Sequence, residues 1–164
     1  MALGLFIVLP ARTRAQSTAA AGADPLTSCV DPSAPPYGVV QIDTYPRVDL
    51  ELARTPAERE YGLMYRDVLA PDSGMLFVYP SEANEAYWMY HTLLPLSIAF
   101  IGRDGTIVDI KDMPRLDNPD DSVEAARHVY PSQAPYWFAL EVNQGWFIQH
   151  GVGVGQRFMF CLGA

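Results

Sequence analysis

Residues 54–106 read RTPAEREYGLMYRDVLAPDSGMLFVYPSEANEAYWMYHTLLPLSIAFIGRDGT, and this stretch decides the fold. Its opening carries a helix start signal. Thr55 is an N-cap, Pro56 takes N1 where its missing N–H costs nothing, and Glu58 at N3 closes a capping box. The predicted helix runs past Arg66, with Ala57, Tyr61, Met64 and Val68 as its apolar stripe and Glu58, Arg59 and Glu60 towards solvent. Gly62 falls inside it at a cost of about 1 kcal/mol relative to Ala, which points to close approach of another backbone or a ligand. Arg66 in the last turn complements the helix dipole. Pro71 to Gly74 is turn chemistry, and Met75–Tyr79 is a continuous apolar run expected as a strand buried on both faces, stopped by Pro80. Ala86 to Thr92 is expected as a second extended, aromatic segment. Leu96, Ile98 and Phe100 then alternate along a strand that ends in the Asp104-Gly105 hairpin turn.

Upstream, Val48, Leu50 and Leu52 alternate with Asp49 and Glu51, the pattern of a half-buried strand. Downstream, residues 106–111 return from the hairpin, and residues 112–135 with their four prolines read as a long loop of the kind that is functional or mobile. Asp121 caps a short helix within it. Residues 137–142 form a strand with Phe138, Leu140 and Val142 in phase, which leaves Glu141 as an outward carboxylate or a partner for an Arg such as Arg66. Asn143 caps a short helix to His150, with Gly151 as its stop, and residues 156–162 form the last strand. The expected fold is α+β and mostly β. It is a single compact domain over 38–164, an antiparallel barrel-like sheet of six or seven strands with two or three short helices.

The chain has 164 residues, 49% hydrophobic and 18% charged, enough for one core without metal or multiple disulfides. Its net charge of −8 repels phosphate backbones, so nucleic acid is not an expected partner. Leu3 to Leu9 is an apolar h-region and Thr13-Arg14-Ala15 a small-x-small cleavage pattern. Residues 1–15 are therefore expected as a signal peptide, atypical in having no positive charge before the h-region. Residues 16–37, rich in Ala, Ser, Thr, Gly and Pro, are an expected disordered linker. Export to the periplasm or the exterior follows, with no integral membrane segment in the mature chain. Cys29 at a Leu26-Thr27-Ser28-Cys29 lipobox-like site is the alternative anchor. In an oxidising compartment Cys29 and Cys161 can pair as a disulfide.

Several of these residues together are similar to a known family. Arg54-Thr55, Glu58-Arg59, Gly62-Leu63-Met64 and Arg66 are followed by Gly74-Met75-Leu76-Phe77, Trp88-Met89, Thr92, Pro95-Leu96, Ile98 and Phe100. Asp104-Gly105 and Leu140-Glu141-Val142-Asn143 with Gly145 complete the set. In order and spacing they resemble the domain of unknown function 192 family, small and usually exported proteins, over about residues 46–162. The resemblance implies a compact β-rich domain and no established activity. The family typically has Lys-Asn after Trp-Met, where Tyr90 and His91 stand here, and Asp after Pro-Leu, where Ser97 stands. A ligand held by those groups in relatives would meet different ones in this chain.

Site reasoning starts from Trp88-Met89-Tyr90-His91, an aromatic platform suited to sugars and other ligands with apolar and polar faces. Arg66 adds a bidentate anchor for a carboxylate or phosphate. Thus Arg66, Trp88, Tyr90, His91 and Ser97 are the expected ligand-binding residues, while Thr55, Glu58, Gly62, Asp104 and Gly105 are structural. His91, His128 and His150 lack the close spacing of a zinc set, so no metal and no cofactor are expected. The favoured function is an exported, non-enzymatic binding domain for a small ligand or an envelope partner protein. One alternative is a hydrolytic enzyme with His91 as base towards Ser97, the one proximate nucleophile; another is a structural or interaction protein without a pocket.

Overall fold

The structure is a computed structural model that describes residues 29–31, 39–42 and 48–163. The expected signal peptide lies outside the described residues, as does most of the expected linker. Among the described residues ten strands and three short helices follow one another: β1 (Cys29–Asp31), β2 (Val39–Ile42), β3 (Val48–Ala53), α1 (Pro56–Tyr61), β4 (Ser73–Ala83), β5 (Ala86–Tyr87) and β6 (Leu96–Ile101), then β7 (Ile107–Met113), α2 (Ser122–Arg127), β8 (Tyr130–Pro131), β9 (Tyr136–Asn143), α3 (Trp146–Gln149) and β10 (Phe158–Gly163). One mixed sheet has the order β1-β10-β2-β3-β4-β9-β6-β7, and β5 pairs with β8 as a separate ribbon.

The α+β, mostly β expectation holds, but the sheet is not antiparallel throughout. β3 and β4 run parallel, with Leu50 opposite Gly74 and Leu52 opposite Leu76. Parallel neighbours need a crossover, and α1 with the turn after it supplies one. β1 is also parallel to β10, with Cys29 opposite Cys161 in register. The side chains of both cysteines, and the disulfide expected between them, lie outside the described residues. Among the described residues no continuous ladder closes the sheet on itself. A single bridge, Thr106 with Arg157, and the bond from the Phe158 N–H to the Gly105 carbonyl tie the β6–β7 turn to the start of β10.

Two apolar layers sandwich the central strands. On one face Leu50, Leu76, Ala99, Leu140 and Val142 pack under Trp146, Phe147 and Val152 of the α3 region. On the other, Met75, Phe77, Ile98, Phe100 and Ala139 pack under Leu63, Met89, Leu116 and Ala125. All six residues of β6 are buried.

Three local expectations are corrected. The α1 helix ends at Gly62, whose φ of +49° and ψ of −132° suit a residue without a Cβ, so Gly62 is a C-terminal stop and not an interior residue. A Cβ there would also meet Phe77 Cζ at 3.2 Å. The stop rotates the expected apolar stripe out of register: Tyr61 and Val68 are exposed, and Leu63 makes the core contact. Second, β4 continues through Pro80 to Ala83, because its register with β9 shifts between Val78 and Ala83 and the ladder skips the proline. Third, Asn143 does not cap α3. Its side-chain amide donates to the carbonyls of Leu69 and Ala70, and Gly145 in the left-handed region precedes the helix.

Of the glycines described, Gly74 is the most closely approached: a Cβ there would lie 2.3 Å from the Glu141 carbonyl oxygen and 2.9 Å from Val142 Cγ1. Backbone cannot yield as a flexible side chain can. Gly74→Ala is therefore expected to cost about 2–3 kcal/mol or more, with β4 and β9 forced apart. Urea unfolding of the variant against the parent checks this, and a loss below about 0.5 kcal/mol would refute the packing described.

Candidate functional site

The capping box at α1 is complete: Thr55 Oγ1 accepts from the Glu58 N–H, and Glu58 Oε2 accepts from the Thr55 and Arg54 N–H groups at 2.8 Å. Those backbone bonds hold the Glu58 carboxyl below the usual range. The helix so anchored forms one wall of a cleft whose other wall is β5 and Trp88. The Arg59 guanidinium is turned back to the scaffold, donating to the Arg54 and Val78 carbonyls and lying 4.8 Å from the centre of the Tyr79 ring.

The cleft has two parts that share Arg59, Glu60, Tyr87 and Trp88 as lining. An outer trough of about 300 Å³ also touches Pro56, Tyr79 and Glu85. An inner end of about 40 Å³ reaches Phe77, Thr92 and Glu141. Glu141 is the residue that sequence reasoning misplaced. Its strand partners are Met75 of β4 and Ile98 of β6, so its side chain enters the layer beneath Leu63 and Met89 rather than pointing outward. It is 5% exposed and has neither a hydrogen-bond nor an ion-pair partner among the described residues. Burial pushes its carboxyl up to about 8, so at neutral pH the group is mostly protonated. Arg66 does not pair with it. Arg66 instead makes a bidentate pair with Glu51 of β3, whose Nη2–Oε2 contact is 2.6 Å. That bond lowers the Glu51 carboxyl, and it gives Arg66 a carboxylate partner within the protein.

The aromatic segment splits at its first peptide. Met89 is wholly buried, whereas Trp88 is 42% exposed on the cleft rim. Only Ala86 and Tyr87 are extended; Met89 to Thr92 is a turn closed by the Thr92 N–H to the Met89 carbonyl. From Trp88 the rings continue as a ladder: Trp88 to Tyr90 at 5.3 Å, Tyr90 to His91 at 3.7 Å, His91 to Tyr65 at 4.7 Å and Tyr65 to Tyr61 at 6.0 Å. Among the described residues Tyr65 and His91 are the two non-glycine residues with positive φ, at 62° and 53°, and the Tyr65 N–H donates to the His91 carbonyl at 2.8 Å. Backbone of this kind costs of order 1 kcal/mol or more per residue and concentrates at binding sites. His91 Nδ1 is 2.8 Å from Asp120 Oδ1, and the His91 N–H donates to the Pro119 carbonyl.

Ser97 is elsewhere. Its hydroxyl faces the α3 side of the sheet, donates to Asp112 Oδ1 and accepts the Gly145 N–H at 2.8 Å. The structure thus gathers Trp88, Tyr90 and His91, and separates Arg66 and Ser97 from them. The His91–Ser97 pair required by a hydrolase is not formed. Asp104 and Gly105 serve the turn, where Asp104 accepts from the Thr106 N–H and from Arg157. Among the described residues no cluster of His, Cys, Asp and Glu is arranged to hold a metal. No described helix is long and apolar enough to cross a membrane.

The raised Glu141 carboxyl makes stability depend on pH with a definite sign. A carboxyl whose folded value lies above its unfolded one favours the folded state fully below about pH 4.5, and this contribution is lost as pH rises towards about 8. Glu141→Gln removes that loss. The stability difference, variant minus parent, is expected to grow with pH between about 5 and 8, by up to about 1.4 kcal/mol per unit. Urea denaturation across that range checks it; a difference independent of pH would contradict the burial.

No curated protein matches the chain. Two solved structures resemble it at a TM-score of 0.62 each. A candidate transcription regulator from Sinorhizobium meliloti 1021 is 34% identical, over 74% of this chain and 89% of that one. A protein of unknown function from Novosphingobium aromaticivorans DSM 12444 is 30% identical, over 74% of this chain and 81% of that one. The model of the family DUF192, described as an uncharacterised ACR, matches residues 39–160. With most of the folded chain inside that match, this protein belongs to the DUF192 family.

Proposed function

We propose that this protein is a non-enzymatic binding domain, acting after export, that holds a small ligand in the cleft between α1 and Trp88. The observation that carries this reading is Glu141. A carboxyl so largely desolvated and without a protein partner is expensive, and since no described side-chain oxygen is both fully buried and unbonded, it opens onto the cleft and not into a closed core. Its cost has a use if a ligand supplies the missing partner. The half-exposed Trp88 and the ring ladder beside it supply the apolar contact area such a ligand needs. Export rests on the apolar leader and its Ala15 cleavage pattern, and a Cys29–Cys161 disulfide is part of the same reading. The description of the Sinorhizobium relative as a transcription regulator finds no counterpart here, since a net charge of −8 disfavours nucleic acid.

Native mass spectrometry of the protein purified from its own host tests the proposal. The parent is expected to retain a small molecule that Trp88→Ala loses, with at least a tenfold drop in occupancy. Arg66→Met, which disturbs only the pair with Glu51, should retain it, at a stability cost of at most about 1 kcal/mol. Equal occupancy in the Trp88 variant would place the ligand elsewhere and overturn the assignment.

A further inference from the structure

Resting on that cleft reading, we infer that the ligand is an organic amine, whose primary ammonium group enters the inner end of the cleft and donates to the Glu141 carboxylate. Three observations select a cation over a neutral polyol or an anion. The first is that the recess holds an acid to which no guanidinium is bonded: Arg59, which also lines it, donates to the Arg54 and Val78 carbonyls, its charge is offset by Glu60 and Glu85 of the same cleft, and Arg66 is paired with Glu51. The second is size. About 40 Å³ admits roughly two or three water-sized groups, enough for an ammonium and its first methylene but not for a sugar ring or a quaternary head. The third is the surroundings. Thr92 Oγ1 spends its proton on the Tyr90 carbonyl at 3.2 Å and so faces a ligand as an acceptor. Phe77, Tyr87 and Trp88 supply aromatic lining of the kind that attracts a cation, and Glu60 and Glu85 line the outer trough. An ammonium has three N–H donors and no acceptor, which suits a site offering a carboxylate and a hydroxyl oxygen. The remainder of the amine then lies in the larger trough along Trp88.

The charge balance gives the proposal its signature. Facing Glu141 from the elements around it are Arg59, Glu60 and Tyr61 of α1 and Tyr87 of β5; its strand partners Met75 and Ile98 carry no charge. With its carboxyl up at about 8, Glu141 is protonated in the empty cleft at neutral pH. Taking an ammonium there expels that proton to solvent. Affinity for an amine should therefore rise about tenfold per pH unit up to about 8, level off, and fall again near the amine's own pKa of about 10. A neutral ligand shows neither limb.

Calorimetric titration of the full chain with n-butylammonium, and with n-butanol as the uncharged analogue, tests this. Expected is binding of the amine with about one proton released at neutral pH, seen as a heat that depends on the ionisation enthalpy of the buffer. Its affinity should rise about tenfold from roughly pH 6 to pH 7, and butanol should be at least tenfold weaker. Glu141→Gln should bind the amine at least tenfold more weakly and without the pH dependence. The comparison of amine with alcohol on the parent needs no variant to fold. If butanol binds as well as the amine and no proton is released, the amine assignment fails while the cleft stands as a binding site. If neither probe binds at millimolar concentrations, the amine assignment fails as well. In that case the host-purified protein decides the cleft itself, by whether Trp88→Ala sheds a ligand.

Discussion

The fold depends on the covering of β4, β9 and β6 from both sides. A strand with one wet face can place a polar residue at every second position without cost. These three have no wet face over their central stretch, since the Trp146 and Phe147 layer closes one side and the Leu63 and Met89 layer the other. Every side chain on them must be apolar or satisfied. Ser97 meets the condition through Asp112 and the Gly145 N–H. Glu141 does not meet it with any described protein group, and remains protonated at neutral pH as a result. The exception to the packing rule is also the carboxyl that lines the inner recess of the cleft. The site and the core are thus two aspects of the same burial.

Much of this architecture was legible in the sequence where the signal is local. The capping box at Thr55 and Glu58, the Asp104-Gly105 turn, the Asp121 cap and the strand from Leu96 to Ile101 each rest on a pattern within a few residues, and each is present. What failed was long-range. The strand register that lets β4 pass Pro80 is set by β9, far along the chain. The parallel placement of β3 beside β4 depends on where α1 stops, and Gly62 reads equally as an interior glycine or an end. Glu141 shows the limit most clearly. Leu140 and Val142 in phase imply that the residue between them looks to solvent, which is true only if the strand has a solvent side. The apolar run from Tyr136 to Val142, with Glu141 its sole interruption, carried the sign of a doubly covered strand, as Met75 to Tyr79 did for β4.

The candidate site was half legible for the same reason. Trp88, Tyr90 and His91 are neighbours in sequence and remain neighbours in space, so a reading based on composition finds them. Arg66, a motif residue, and Ser97, a departure from the motif, were drawn away by partners that sequence order does not reveal, Glu51 on β3 and Asp112 on β7. Family membership adds the fold and its solved relatives without supplying a reaction, so the chemistry of this chain rests on its own side chains.

The backbone link from His91 to Pro119, beside the ring contact with Asp120, has a mechanical result. The segment bearing Trp88 is held on both flanks: Tyr87 pairs with Tyr130 on the β5–β8 ribbon, and Met89 is clamped in the core ahead of the His91 tether. Two separate points of the segment between β7 and β9, Pro119 and Tyr130, therefore hold the stretch on which the indole stands.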